Sequence, residues 1–445
     1  MYRAYLKKHP EMKTIVARVK ELFLAAKQSP SEMSKLIDTY LIPQETEKKQ
    51  NAEVSTPYSL RQEMLDSVPQ EFWTSPKKIF EPCCGKGGFV LDVVNRFMSG
   101  LSIFEPNEKK RYKYIVEECI YFADINPVNI FVTKLLLDPK EEYALQYHEG
   151  DTLQLHVIEK WDLEGFDLVL GNPPYNSSGS TATGNTLWQD FVKKSLLDWS
   201  IENSYVCFVH PPGWRKPNTE KGKFTGLFEL MTYQNDMIYL EMHGIEDGKR
   251  VFNCGTRYDW YLIHRRQNLS RLTKGIDING KEFKCSLKKM DWLPNGNLEK
   301  VSELIGKMNE PRCPIMYNRS LYDPRKKWMS KVKTEEFCYT CVHTTPKNGP
   351  RYVYTNKRDE TQFGISKIIF GDSAIHPILD KTGEFGMTHH AMAIRYDTEK
   401  EAKGLIKALK SDSFKEMLDS CLYSSYGIDW NIFKTFKKDW WKMFI

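Results

Sequence analysis

The sequence predicts an α/β fold: a doubly wound, mixed but mostly parallel Rossmann-like sheet, followed by a smaller C-terminal α+β domain. Two observations carry this expectation. Between residues 79 and 175, strand, turn and helix repeat four times, with a polar residue at each strand end: Glu81, Asp124, Asp151 and Asn172. That is the pattern of strands feeding crossover helices in a parallel sheet, whose ligands bind at the carboxyl edge. After about residue 265 the alternation stops and short strands and loops take over.

Taken in order, EMKTIVARVKELFLAAKQ (11–28) places Ile15, Val16, Val19, Leu22, Phe23 and Leu24 near a helical period, without Gly or Pro. An amphipathic helix follows from this spacing, and residues 1–50 are expected to be a helical brace. The polar run 44–53 is a loop. In STPYSLRQEML, Ser55 or Thr56 is expected to cap a helix with Pro57 at its first position.

In KKIFEPCCGKGGFVLDVVNRF, Ile79 and Phe80 form a strand, 81–88 a glycine-rich turn and Phe89 to Phe97 the opening of a helix. Gly85, Gly87 and Gly88 let a ligand approach the backbone, and the helix start offers N–H donors. Glu81 stands just before those glycines, where its carboxylate attracts a cation rather than a pyrophosphate. A ligand with a positively charged amino acid end fits this turn.

Residues 99–112 are a polar excursion. YKYIVEECIYFADINP then runs from helix into a strand ending at Asp124, whose carboxylate either takes ribose hydroxyls or caps the helix NPVNIFVTKLLL. Asp151 in YHEGDTLQL is the third strand-end position.

The fourth is FDLVLGNPPY (166–175). Asp167 to Leu170 has the length and branched content of a buried strand, and Gly171 turns the chain at its end. Pro173 and Pro174 fix φ and donate no hydrogen bond, so the carbonyls of Asn172 and Pro173 are held outward beside the Asn172 amide. Tyr175 is a flat wall. Two acceptors and a stacking face suit a planar exocyclic amine. Residues 176–186 (NSSGSTATGNT) are expected to be a mobile loop beside this turn. VCFVHPPGWR, DMIYLEMHGI and YDWYLIHR supply later strands, with Trp214 and Arg215 in a structural turn.

TPYSLRQEML, EPCCGKGGF, ADINP, GDTL and GNPPY, in that order, resemble the motif series of S-adenosylmethionine-dependent DNA adenine-N6 methyltransferases. The order is that of the γ subgroup, found in type II restriction-modification systems, in which the target-recognition domain follows the catalytic one. The resemblance covers roughly residues 50 to 265. It implies a class I methyltransferase domain over 51–265, a DNA target-recognition domain over 266–445, and site-specific methylation of a flipped-out adenine. By the same resemblance Thr56, Pro57, Glu81, Cys83, Gly85, Gly87 and Phe89 would line S-adenosyl-L-methionine, with Glu81 near its amino group. Asp124 would hold the ribose hydroxyls, Ile125 the adenine ring and Asp151 the cofactor's own exocyclic amine. Asn172, Pro173 and Pro174 would form the catalytic turn, with Tyr175 stacking on the target base and Phe252 closing its other face. Double-stranded DNA is the implied partner of a monomer or weak dimer, with room for a restriction endonuclease on a separate chain. Glu81 replaces the family's usual Asp, one methylene shorter, and the interval to Asp124 is lengthened by the excursion near residue 105. Ribosomal-RNA and protein-glutamine methyltransferases also use Asn-Pro-Pro-Tyr, so the turn specifies geometry more than substrate. Those substrates, and a DNA-binding protein with a degenerate catalytic domain, stay open.

Charge supports nucleic acid. Residues 271–445 carry 31 Lys and Arg against 22 Asp and Glu, while 1–270 carry 33 against 36. The excess concentrates in 311–370, with 12 basic and 5 acidic residues interleaved with aromatics, the composition of a surface that meets phosphates and bases. Further on, TEKEAKGLIKALKSDSFKEML is expected to be one amphipathic helix ahead of an aromatic tail. Cys338-x-x-Cys341 with His343 is one pair short of a zinc set, so no metal is expected. No apolar run approaches the roughly 20 residues that span a bilayer, and the ten cysteines form no framework. A soluble, intracellular chain with reduced thiols is therefore expected.

Overall fold

The computed structural model describes residues 6–7, 9–27, 29–42, 54–176, 186–217, 222–266, 271–307, 309–423 and 427–445. The expected loop at 44–53, and residues 177–185 of the loop after Tyr175, lie outside them. The chain divides into two compact units, one of Met1–Trp214 with Asn218–Asp291, the other of Arg215–Pro217 with Trp292–Ile445.

Unit 1 is built on a nine-stranded sheet. Its N-terminal helices α1 (Lys13–Ala25) and α2 (Pro30–Tyr40) are followed by α3 (Tyr58–Asp66) and the first strand, β1 (Ile79–Glu81). Then come α4 (Gly88–Gly100), α5 (Glu108–Tyr114), β2 (Ile120–Asp124), α6 (Pro127–Leu137), β3 (Gln146–Glu149), α7 (Val157–Trp161) and β4 (Phe166–Gly171). The second half comprises α8 (Trp188–Lys194), β5 (Ser200–His210), α9 (Leu227–Thr232), β6 (Asp236–His243), α10 (Ile245–Phe252) and β7 (Tyr258–His264), then β8 (Thr273–Ile276) and β9 (Glu282–Cys285). The spatial order is β3-β2-β1-β4-β5-β7-β6-β8-β9. β3, β2, β1, β4 and β5 are mutually parallel, and β7 inserts antiparallel between β5 and β6. The doubly wound, mostly parallel expectation holds.

The physical reason is burial on both faces. β1 and β2 are buried at every residue, and β4 at all but Asp167, so they read as unbroken apolar runs rather than alternating ones. Phe80 stacks on Phe166 at 4.7 Å and meets Trp199 edge-on at 5.3 Å on one face. On the other, Ile79, Phe122, Leu168 and Leu170 join Val90, Leu91 and Val94 of α4 in one core.

Val19 and Leu22 of α1 and Met33 and Ile37 of α2 belong to this same core, so the two helices pack on unit 1. Three expectations are corrected. The unit boundary falls at Asp291 rather than at 265, because β8 pairs in parallel with the outer strand β6 and carries β9 with it. Pro57 is the N-cap of α3, not its first residue, and neither Ser55 nor Thr56 caps it. The carboxylate of Asp38, from α2, accepts from Tyr58 N at 2.9 Å instead, satisfying a donor the helix start leaves open. The polar excursion contains α5, capped by the Asn107 side chain on Lys110 N.

Unit 2 holds two four-stranded sheets. α11 (Leu298–Leu304) precedes strands β10 (Ile315–Met316), β11 (Met329–Ser330), β12 (Tyr339–Thr344), β13 (Arg351–Thr355), β14 (Lys367–Gly371), β15 (Ile378–Asp380), β16 (Gly386–Met387) and β17 (Ala391–Arg395). They are ordered β10-β17-β14-β15 and β11-β13-β12-β16. Val342, Ile369, Met387, Ala391 and Ala393 fill a core shared by both sheets. The expected long helix is two, α12 (Glu399–Lys410) and α13 (Asp412–Asp419). Ser411 is extended between them, its hydroxyl accepting from Phe414 N to cap the second. A last helix, α14 (Trp430–Thr435), packs Phe433 against Phe414 and Trp440. Arg215 is fully buried, donating to Leu293 O, Pro294 O and Asn295 Oδ1, and Trp214 donates to Asp259 within unit 1, so both are structural. Among the described residues no helix is long and apolar enough to cross a membrane.

Candidate active site

Strand order reverses between β1 and β4, which places the ends of both at the switch point of the sheet. A pocket opens there. It is lined by Glu81, Cys83, Gly85 and Phe89 from the glycine-rich turn, Asp124 and Ile125 after β2, Asp151 after β3, and Asn172 and Pro174 after β4. Thr56 completes this set, and only Pro57, Gly87, Pro173, Tyr175 and Phe252 of the expected residues do not line it.

The glycine-rich turn is shaped by two close approaches. Gly87 is the N-cap of α4 at φ +85°, and a Cβ there would meet Thr133 Oγ1 at 2.9 Å. At Gly88 a Cβ would sit 2.9 Å from the guanidinium of Arg61. That side chain is 2% exposed and cannot withdraw. Its Nε donates to Asp92 at 2.6 Å, its Nη1 to Asp38 and to Thr56 O, and its Nη2 to Ser34 O. Ser34 in turn donates to Asp92. The network joins α2, α3 and α4 and fixes the Thr56 backbone at the pocket wall.

Glu81 is 4% exposed and its Oε2 has no partner among the described residues. Burial raises its carboxyl well above the usual range, with Asp124 and Asp92 adding to the rise, while Arg61 and the Val90 N–H oppose it. A cation placed at Oε2 would supply what this carboxylate lacks. Asp124 accepts from Gly85 N at 2.9 Å and Asn126 N at 2.8 Å, holding the turn shut. The cap of α6 is Asn126, whose side chain accepts from Val128 N, so Asp124 is not a helix cap. Ile125 is 61% exposed on the rim, an apolar surface free to lie against a flat ring. Asp151 caps the turn at Thr152 by accepting from Leu153 N. Burial beside Glu81 and Asp124 raises the Cys83 thiol well above its ordinary value, so it is neutral.

At the Asn-Pro-Pro-Tyr turn, Asn172 Nδ2 donates to Val54 O at 3.2 Å, which fixes the amide orientation and leaves Oδ1 buried without a partner among the described residues. A buried acceptor left open this way costs about 1–3 kcal/mol. Tyr175 is half-buried, its hydroxyl buried near Cys254 and Tyr258 and without a partner among the described residues. Phe252 is 7% exposed and edge-on to Tyr258 at 4.9 Å, behind that aromatic group and outside the pocket lining. After the turn, Asn176 bridges to Thr186 and Leu187 N donates to Tyr175 O. Leu187 and Phe191 then line the pocket. Trp188 anchors this wall by stacking on His210 at 4.1 Å. Burial pushes that imidazole down to about 3, so it is neutral.

Residues 37–207 match the family model of the N-6 DNA methylases. The N-6 DNA methylase match starts in α2, at the residue before Asp38, and ends in β5, so it takes in Arg61, the glycine-rich turn and Asn172. The match overlaps the segment in which the motif series was read. An uncharacterized adenine-specific methylase of Mycoplasma pneumoniae is 22% identical, the match covering 37% of this chain and 56% of that protein. The chain thus spans about half the length of this curated relative. Among solved structures, the type IIL restriction-modification enzyme MmeI in complex with DNA has a TM-score of 0.56 at 11% identity, over 92% of this chain and 70% of that one. The ATP-dependent type ISP enzyme LlaBIII bound to DNA has a TM-score of 0.53 at 11% identity, over 92% and 40%. These two likenesses show the fold alone, a mixed, mostly parallel sheet with helices followed by a further C-terminal unit.

Ile37, Asp38 and Leu41 of α2, with Leu187 and Phe191, line the pocket without having been expected there. An acidic residue on an otherwise amphipathic helix is the one signal Asp38 gave.

Proposed function

We propose that this chain is a site-specific DNA methyltransferase that transfers a methyl group from S-adenosyl-L-methionine to the N6 amine of adenine. The observation that carries this reading is the open, buried Oδ1 of Asn172 at the switch point of the sheet. The cofactor's needs are met by residues present. The unpartnered Glu81 Oε2 suits the amino group, Asp124 the ribose hydroxyls, Ile125 the adenine ring and Asp151 the ring's amine, while Thr56 and Phe89 border the pocket. Bound there, the cofactor supplies an electrophilic methyl group on a sulfonium.

The chain's own residues do the rest by position. Asn172 Oδ1 and the Pro173 carbonyl accept the two protons of the target amine, drawing its lone pair out of conjugation toward the methyl carbon. Pro173 and Pro174 keep those acceptors from relaxing away. Tyr175 presents a ring on which a base removed from the duplex stacks, offsetting part of the few kcal/mol that flipping costs. The amine sheds its proton after attack, so a strong general base is not required.

Unit 2 is the DNA target-recognition domain in this reading, supported by its basic composition and by fold likeness to two enzymes whose structures contain DNA. A monomer or weak dimer acting beside a separate restriction endonuclease fits the same reading. The test is transfer of labelled methyl from S-adenosylmethionine to a mixture of duplex DNA, structured RNA and protein, followed by nucleoside analysis. N6-methyladenine in DNA, lost in Asn172→Ala while that variant still binds cofactor, is the expected result. Label confined to RNA or protein would overturn the DNA assignment and keep the amine-holding turn.

A further inference from the structure

Unit 2 contains three imidazoles that methyl transfer does not use. His343 lies on β12, and His389 and His390 lie in the turn between β16 and β17. Their ring centroids are 5.2 Å apart for His343 and His390, 4.1 Å for His389 and His390, and 6.5 Å for His343 and His389. His343 Nδ1 is hydrogen-bonded to Thr388 Oγ1 at 2.9 Å and His390 Nδ1 to Asp372 Oδ2 at 3.0 Å, whereas His389 Nδ1 is buried without a partner among the described residues.

The surrounding charges come from every element packed on the cluster. Arg351 of β13 faces His343, Arg325 and Asp323 face His389, and Asp372, after β14, faces all three imidazoles. Tyr317, whose hydroxyl donates to His389 O, has Arg319, Asp372 and Asp429 beside it. Both nearer carboxylates are already engaged: Asp323 takes Arg325 through two bonds at 3.0 and 2.6 Å, and Asp372 takes His390. What remains is a set of imidazoles that would repel one another once protonated, flanked by arginines, with His343 inside the basic stretch 311–370 and His389 and His390 beyond it. Burial and the neighbouring imidazoles hold His343 and His389 below the ordinary range. Among the described residues no group of His, Cys, Asp and Glu is arranged to hold a metal ion, and arginines at the rim would repel one. An anion relieves this repulsion and a cation worsens it.

We propose that His343, His389 and His390 form a contact for a phosphodiester of the nucleic acid bound by unit 2, and that this contact takes up protons as the phosphate arrives. The inference rests on the DNA reading above and adds its partner atom and its pH dependence. A bound phosphate raises the affinity of His343 and His389 for protons, so binding tightens as pH falls.

The test uses the full chain and a fluorescent random-sequence duplex, with anisotropy titrations at constant ionic strength from pH 8.0 to 6.0. The dissociation constant should fall about tenfold across that range, one linked proton giving up to tenfold per pH unit. In the triple variant His343→Gln, His389→Gln, His390→Gln most of that dependence should vanish, with affinity at pH 8.0 kept within about twofold. Should the triple variant fail to fold by thermal melting, His389→Gln alone serves, since its Nδ1 has no bond to lose. A wild-type affinity flat with pH, or a variant as pH-dependent as wild type, overturns the proposal. Flat affinity with intact methyl transfer to DNA would overturn this contact alone. No duplex binding at any pH would overturn it together with the DNA reading.

Discussion

Arg61 donates to Asp92 at 2.6 Å, each side chain 2% exposed, and this pair binds the N-terminal helices to the turn that faces the pocket. A buried guanidinium is tolerable only when its donors are met, and here Asp92, Asp38, Thr56 O and Ser34 O meet them. Arg61→Met leaves Asp92 buried, and Asp38 part-buried, without their cation. Its expected cost is about 3–5 kcal/mol, read as a lower urea midpoint, with cofactor affinity falling because the Thr56 wall is released.

Gly88 and Arg61 are coupled. An added Cβ would meet the guanidinium at 2.9 Å, and a side-chain end that normally swings aside is pinned. Gly88→Ala should cost about 1–3 kcal/mol. In the Arg61→Met background most of that penalty should disappear, a non-additivity that a double-mutant cycle measures.

Glu81 trades stability for binding. Its carboxyl is raised above the unfolded value by burial, so its contribution is intact below about pH 4.5 and is lost as pH rises toward the folded value. Glu81→Gln should therefore raise the melting temperature of the cofactor-free protein at neutral pH, by about 1–3 kcal/mol of stability. It should also weaken S-adenosylmethionine binding. In wild type that binding should strengthen with pH and release a proton, seen by calorimetry in buffers of different ionisation enthalpy, and the release should be absent in the variant.

Tyr175 separates ring from hydroxyl. Because its buried O–H has no partner among the described residues, Tyr175→Phe should leave activity within about twofold and stability unchanged or higher by up to about 1 kcal/mol. Tyr175→Ala should raise KM for duplex DNA by about tenfold or more, while cofactor affinity measured alone stays constant.

Much of the site was legible because strand ends announce themselves. Glu81, Asp124, Asp151 and Asn172 each follow an apolar run, and all four line one pocket. Local signals failed where a partner distant in sequence does the work. Pro57 was expected inside its helix, but it is the N-cap, and the open N–H of Tyr58 is met by Asp38, 20 residues upstream of that tyrosine. Phe252 was expected to stack on a base, yet it packs edge-on to Tyr258 and does not line the pocket. The end of unit 1 was missed because β8 and β9 are short and polar, and only edge pairing with β6 makes them part of the sheet.

The sequence by itself determined the strand-turn-helix repeat, the glycine-rich turn and the Asn-Pro-Pro-Tyr turn, since hydrophobic period and backbone-restricting residues act within a few positions. Tertiary structure alone decided that α2 walls the pocket, that Arg61 is buried against Asp92, and that Asn172 Oδ1 is left open while Nδ2 is held by Val54 O. Which polar atoms find partners and which remain unpaired depends on groups brought together from far along the chain, and it is the unpaired ones that mark where a ligand belongs.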